Sequence, residues 1–144
     1  MNGYIIYGRL KSTRLPRKAL LRLAGDSLVR IIIDQVAGCA GIDRIVFATS
    51  DLAEDTPLAE LAAQEGLAVY RGYPEDVLTR LGETARLFGF DRILTTVIDC
   101  PFQLGAVIDE TLVKLVQEKY DMVRSYPGQP NGTDCFGLSR EALE

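Results

Sequence analysis

The sequence contains no histidine and no tryptophan. Without histidine there is no imidazole base, no Ser-His-Asp triad and no histidine metal ligand, so a bound metal would rest on oxygen donors. Cysteine is sparse. Cys39, Cys100 and Cys135 are odd in number, far apart, and form no C-x-x-C pair. This argues against a zinc knot or a disulfide framework, and three scattered thiols suit a reducing cytoplasm. No apolar run approaches the roughly 18 residues of a membrane span, and no basic segment leads into an apolar one at the N-terminus. Neither a membrane contact nor a secretory signal is expected. Positive charge is in deficit, with 16 Lys and Arg against 20 Asp and Glu, so nucleic acid is not an expected partner.

What is present is ordinary for one soluble domain: 144 residues, 47% hydrophobic and 25% charged. A chain of this size buries enough surface for one core. Short apolar runs at 3–7, 44–48, 67–70 and 92–97 read as buried strands. Between them lie helix-period segments. Ser27 is positioned to cap a helix with Leu28, Ile31, Ile32, Gln35 and Val36 on one side. Thr56-Pro57 reads as a cap and first-turn pair opening a helix that stops at Gly66. Residues 75–88 place Val77, Leu78, Leu81, Ala85 and Phe88 inward, and 106–119 place Ile108, Leu112, Leu115 and Val116 inward. A fifth strand is expected at 121–124, a loop at 126–133, an edge strand at 134–138 and a short helix at 139–144. Alternation of this kind predicts an α/β fold, a mostly parallel sheet covered on both faces. Ligands in such folds sit beyond the carboxyl ends of the strands.

Three loops lie there. The first, after Tyr7, holds Arg9, Lys11, Arg14, Arg17 and Lys18 with Ser12 and Thr13. It has the donors to grip polyphosphate: guanidinium forks, ammonium charges and backbone N–H groups. Neither a Walker loop nor a G-x-G-x-x-G turn is present, and a solvated basic loop without ligand is the plain alternative. The second loop holds Asp51, Glu54 and Asp55. Asp55 or Thr56 caps the next helix, while Thr49, Ser50 and Asp51 either line the site or form a structural turn. The third carries Asp99, read as a metal carboxylate or as a turn former before Pro101. Cys100 beside it lacks an activating base and reads as packing.

"GRLKSTRLPRKAL" with "LAGDSLVRIII", "IVFATSDLAEDTPLAELAAQEGLAVYRGYPEDVLTR", "DCP" and "YPGQPNGTD" with "LSREALE" occur in order along nearly the whole chain. Together they resemble the cytidylyltransferases of spore coat polysaccharide biosynthesis, relatives of the acylneuraminate and Kdo cytidylyltransferases. The resemblance implies a Rossmann-like three-layer α/β/α domain of the nucleotide-diphospho-sugar transferase type over residues 1–144, the N-terminal, nucleotide-binding part of a longer fold. It implies transfer of CMP from CTP to a sugar or sugar acid, with release of pyrophosphate and Mg²⁺ as cofactor. Arg9 and Lys18 would hold the triphosphate. Gly8, Ser12, Thr13 and Arg14 would shape the loop and add contacts. Asp99 would hold the metal, and Asp51, Arg71 and Asp76 would lie beside the nucleotide. Asp76 reads equally as a helix-terminus carboxylate, and Arg80 as a surface residue or a pocket residue.

The chain departs from the family pattern at Tyr7 (family Gln), Lys11 (a small residue), Thr95 (Arg), Ile98 (Gly) and Phe136 (Glu). Three function classes follow: an active cytidylyltransferase or its nucleotide-binding half, a non-catalytic nucleotide- or sugar-binding relative, and an assembly module. An open apolar edge at Cys135, Phe136 and Leu138 would favour a homodimer.

Overall fold

The computed structural model describes residues 1–124, 128–130 and 132–143. Six strands form one sheet in the order β5-β4-β1-β6-β8-β7: β1 is Asn2–Tyr7, β4 Arg44–Thr49, β5 Ala68–Arg71, β6 Arg92–Val97, β7 Met122–Arg124 and β8 Phe136–Ser139. The first four are parallel. β8 runs antiparallel to β6, and β7 antiparallel to β8. A two-strand ribbon, β2 (Arg22–Leu23) and β3 (Asp26–Ser27), turns at Ala24 and Gly25, both at positive φ. That pairing is typical of a two-residue hairpin turn.

Period-2 alternation divides the strands between two cores. Tyr4, Ile6, Phe47 and Leu94 face α1 (Leu28–Val36), α2 (Thr56–Gln64) and α4 (Gly105–Gln117). Ile5, Val46, Ala48 and Ile93 face Leu81, Ala85 and Phe90, from α3 (Val77–Phe88) and the turn after it. Three layers result, as expected. Among the described residues no helix is long and apolar enough to cross a membrane.

Helix faces follow the sequence with local differences. Ser27 caps α1, accepting from the Arg30 N–H, but Val29 rather than Ile31 is fully buried. On α3 the inward stripe runs through Arg80, Leu81, Thr84 and Ala85, and Leu78 lies at its edge, exposed. On α4, Thr111 is inside and Val116 is on the rim. Neither Asp55 nor Thr56 gives a side-chain cap to α2. The expected edge strand is interior: β8 pairs on both sides, Cys135 is fully buried, and the edge belongs to β7. The open apolar edge that would have favoured a homodimer is therefore absent at Cys135, Phe136 and Leu138. Residues 141–143 form one 3₁₀ turn rather than a helix. The expected loop at 126–133 falls partly outside the described residues, as does Glu144.

Gly3 shows how tightly the sheet packs on the turn that follows α3. A Cβ there would stand 2.2 Å from the buried Phe90 ring. Gly3→Ala forces the ring or the central strand to move. A loss of about 3 kcal/mol is expected from overpacking, read as a lower denaturant midpoint at unchanged slope.

Candidate active site

Parallel register builds the floor of the site. Tyr7 stands opposite Ala48 on one side and Val97 on the other. One more rung continues each ladder: Gly8 N–H donates to Ala48 O (3.2 Å), and Ile98 N–H donates to Tyr7 O (2.8 Å). The loops that follow β1, β4 and β6 thus leave from one edge. Gly8 must be glycine here, because a Cβ would lie 2.4 Å from Ile98 Cγ2. Ile98, where the resemblance has glycine, fills the space that Gly8 leaves.

The basic loop is pinned at both ends. Leu10 is buried, and Arg17 N–H donates to Leu10 O. Ser12 Oγ accepts from Leu15 N–H at 3.3 Å. Arg17 takes a left-handed conformation (φ 57°), sparsely populated for a side-chain-bearing residue. The turn Lys18–Leu20 follows directly, with Ala19 buried. Its direction aims Lys18 across the strand ends, where its ammonium pairs with the Asp99 carboxylate. Asp99 occupies a turn closed by Cys100 N–H donating to Val97 O (3.0 Å). Both members of the pair remain partly exposed, 27% and 28%.

Arg9, Lys11, Ser12, Thr13, Arg14, Lys18 and Glu75 line an open cleft of about 390 Å³. An adjoining hollow of about 240 Å³ shares Arg9, Lys11 and Lys18 and adds Tyr7, Gly8, Val77, Arg80, Ile98 and Asp99. Arg9 turns inward. Its Nη1 donates to Pro74 O and to Glu75 Oε1 (3.0 Å), and its Nε lies 3.6 Å from Asp55. Its Nε and Nη2 are buried without a hydrogen-bond acceptor. The Arg9 hydrogen bond holds the Glu75 carboxyl below the usual range.

Arg80, 1% exposed, is the largest fully buried side chain. It donates to Tyr73 O (2.7 Å) and Pro74 O (3.3 Å). Burial, then the nearby Arg9 charge, lowers its pKa. The Tyr7 phenol is raised mainly by burial. The Cys100 thiol is raised by burial and by Asp99, the opposite of what a nucleophile needs.

Asp51, Arg71 and Asp76 line neither hollow. Arg71 braces the loop after β4, donating to Ser50 O (3.1 Å) and Leu52 O (2.8 Å). Asp51 lies exposed in that loop. Asp76 caps α3, accepting from Thr79 N–H (2.9 Å) and Thr79 Oγ1 (2.6 Å), which lowers its pKa.

Two site residues escape a reading of the sequence. Asp55 is fully buried beneath the basic loop, accepting from Leu10 N–H (2.6 Å) and from the Ser50 hydroxyl. Its place before Thr56-Pro57 gave only a capping signal. Glu75 reaches Arg9 from the turn before α3, with no local pattern to mark it. Arg80 did carry a signal, because it falls on the inward stripe with Leu81 and Thr84.

Residues 4–130 match the cytidylyltransferase family. Among curated relatives, the spore coat polysaccharide biosynthesis protein SpsF of Bacillus subtilis is 32% identical over 127 residues, covering 85% of this chain and 51% of that protein. The 3-deoxy-manno-octulosonate cytidylyltransferase of Chlorobium chlorochromatii is 33% identical over 141 residues, 96% of this chain and 50% of that one. The chain thus spans about half the length of these curated relatives. A solved cytidylyltransferase from Leptospira borgpetersenii superposes with a TM-score of 0.88 at 23% identity, covering 99% of this chain and 61% of that one. Its likeness shows the fold, that of the nucleotide-diphospho-sugar transferases. The chain belongs to the cytidylyltransferase family.

Proposed function

We propose that the protein binds CTP and transfers CMP to a sugar or sugar acid in cell-surface polysaccharide synthesis, releasing pyrophosphate. The observation that carries this reading is the meeting of Lys18 and Asp99 at the strand ends, below a cleft lined by Arg9, Lys11 and Arg14. A cluster of cations around one carboxylate matches a polyphosphate that brings a hard metal with it.

In the transfer, a hydroxyl oxygen of the sugar attacks the α-phosphorus. The new P–O bond forms as the bond to the bridging oxygen breaks, both bonding electrons leave with pyrophosphate, and the hydroxyl proton passes to water. Lys18 exchanges Asp99 for phosphate oxygens and meets the charge that grows on the leaving group. Arg9, which lines the same cleft, would turn its guanidinium from Glu75 toward the phosphates. Ser12, Thr13 and Arg14 close the loop over the phosphates. A Mg²⁺ ion needs one or two carboxylates and keeps several waters, and the half-open Asp99 fits that demand. Among the described residues no group of three or more acidic or thiol ligands gathers to hold a metal, so Asp99 would share it with the phosphates. Bound there, the ion would neutralise phosphate charge.

Calorimetric titration with CTP, UTP, GTP and ATP in Mg²⁺, together with a pyrophosphate-release assay, tests the proposal. CTP should bind most tightly. Arg9→Ala should weaken binding by about 1.5–3 kcal/mol, the scale of a charged hydrogen bond; equal affinity in mutant and parent would remove Arg9 from the site. A second reading, binding without turnover, is favoured by one observation: the Ile98 side chain packs against Gly8 at the floor of the hollow. Saturable CTP affinity without pyrophosphate release supports it.

A further inference from the structure

We infer that Gln103 is a positioning residue, acting through the turn that carries Asp99; the inference rests on the nucleotide reading above. Gln103 is 3% exposed, a polar side chain inside an apolar layer. Its amide group is fully engaged. Nε2 donates to Cys100 O (2.9 Å) and Thr96 Oγ1 (3.0 Å), while Oε1 accepts from Tyr4 O–H (2.9 Å). The three partners belong to three different pieces: β1, β6 and the turn at 98–101. Gln103 therefore ties the residue after Asp99 to both central strands from beneath.

A satisfied amide is not needed to fill this space, since an apolar side chain of similar volume would avoid its desolvation. What the amide adds is a hold on the Cys100 carbonyl, which fixes the far end of the turn that carries Asp99. Besides the Lys18–Asp99 pair, this turn is held by two backbone bonds, Ile98 N–H to Tyr7 O and Cys100 N–H to Val97 O. Side chains that orient a ligand group from behind typically change metal affinity or activity 10- to 100-fold when removed.

The test uses the full chain, with CTP and Mg²⁺ as the probe. Gln103→Met should weaken Mg²⁺-dependent CTP binding about tenfold and speed amide exchange at Asp99 and Cys100 in the ligand-free protein. Added to Asp99→Asn it should cause no further loss of binding, because it acts through that carboxylate. Gln103→Met also strands the buried Tyr4 hydroxyl. Tyr4→Phe with Gln103→Met removes both partners and should recover stability while binding stays weak; this double variant carries the comparison if the single one fails to fold. A Gln103→Met protein that binds as the parent does, or whose loss adds in full to that of Asp99→Asn, overturns the proposal. A parent that binds no triphosphate overturns the nucleotide reading, and the proposal falls with it.

Discussion

Replacing Lys18 with alanine is expected to lower pyrophosphate release about 10²–10³-fold, the scale of losing one preorganised charge or donor at a developing anion, and to leave the unfolding midpoint nearly unmoved. The two halves of that expectation come from one geometry. In the free protein the Lys18–Asp99 pair is about a quarter exposed on each side. Pairs in such contact with water contribute at most about 1 kcal/mol, so the fold does not depend on it. In the proposed complex, the same ammonium would face several phosphate oxygens of a triphosphate in the cleft. Arg9 should matter less, because Pro74 O, Glu75 and Asp55 already engage its guanidinium. Lys11 lies exposed on the outer loop and should act mainly through long-range attraction, which salt screens. Parallel measurement of pyrophosphate release and denaturant midpoint separates these contributions. A Lys18→Ala protein that turns over within a few-fold of the parent removes the residue from the chemistry.

The layers were legible because they depend on period alone. Residues 3–7, 44–48 and 92–97 are apolar on both faces, as buried parallel strands must be, and the structure puts β1, β4 and β6 at the sheet's centre. The basic loop was legible because charge at the end of such a strand is conspicuous. Other features depended on contacts far apart in sequence. Asp55 lies 45 residues from Leu10 and Gln103 lies 99 from Tyr4, and no local pattern encodes either bond. β8 reads as an edge strand in the sequence, yet β7 pairs antiparallel on its outer side. Phe136 and Thr95 pair across β6 and β8 in the sheet, so these two departures from the family pattern sit together. Thr95 donates its hydroxyl to Ile5 O and completes a bond inside the sheet, a role that sequence position alone does not disclose.

Asp99→Asn separates a metal carboxylate from a turn former by the sign of its effect. Asparagine keeps the volume and an acceptor oxygen, and it suits the same turns, so the fold should persist with a stability change under about 1 kcal/mol. What disappears is one negative charge. Without Mg²⁺, Asp99 repels the triphosphate and competes with it for Lys18. The variant should therefore bind metal-free CTP about 2–5-fold more tightly, the equivalent of releasing a partly exposed ion pair worth about 0.5–1 kcal/mol. With Mg²⁺ the order should reverse, because the parent gains an oxygen ligand for the ion and the variant does not. Turnover in Mg²⁺ should fall by about 10² or more, since positioning of the metal-bound triphosphate is lost along with affinity. Calorimetry of parent and variant across a Mg²⁺ series gives the decisive pattern: two affinity curves that cross as Mg²⁺ rises. Curves that superimpose would reduce Asp99 to a residue that shapes its turn and steadies Lys18.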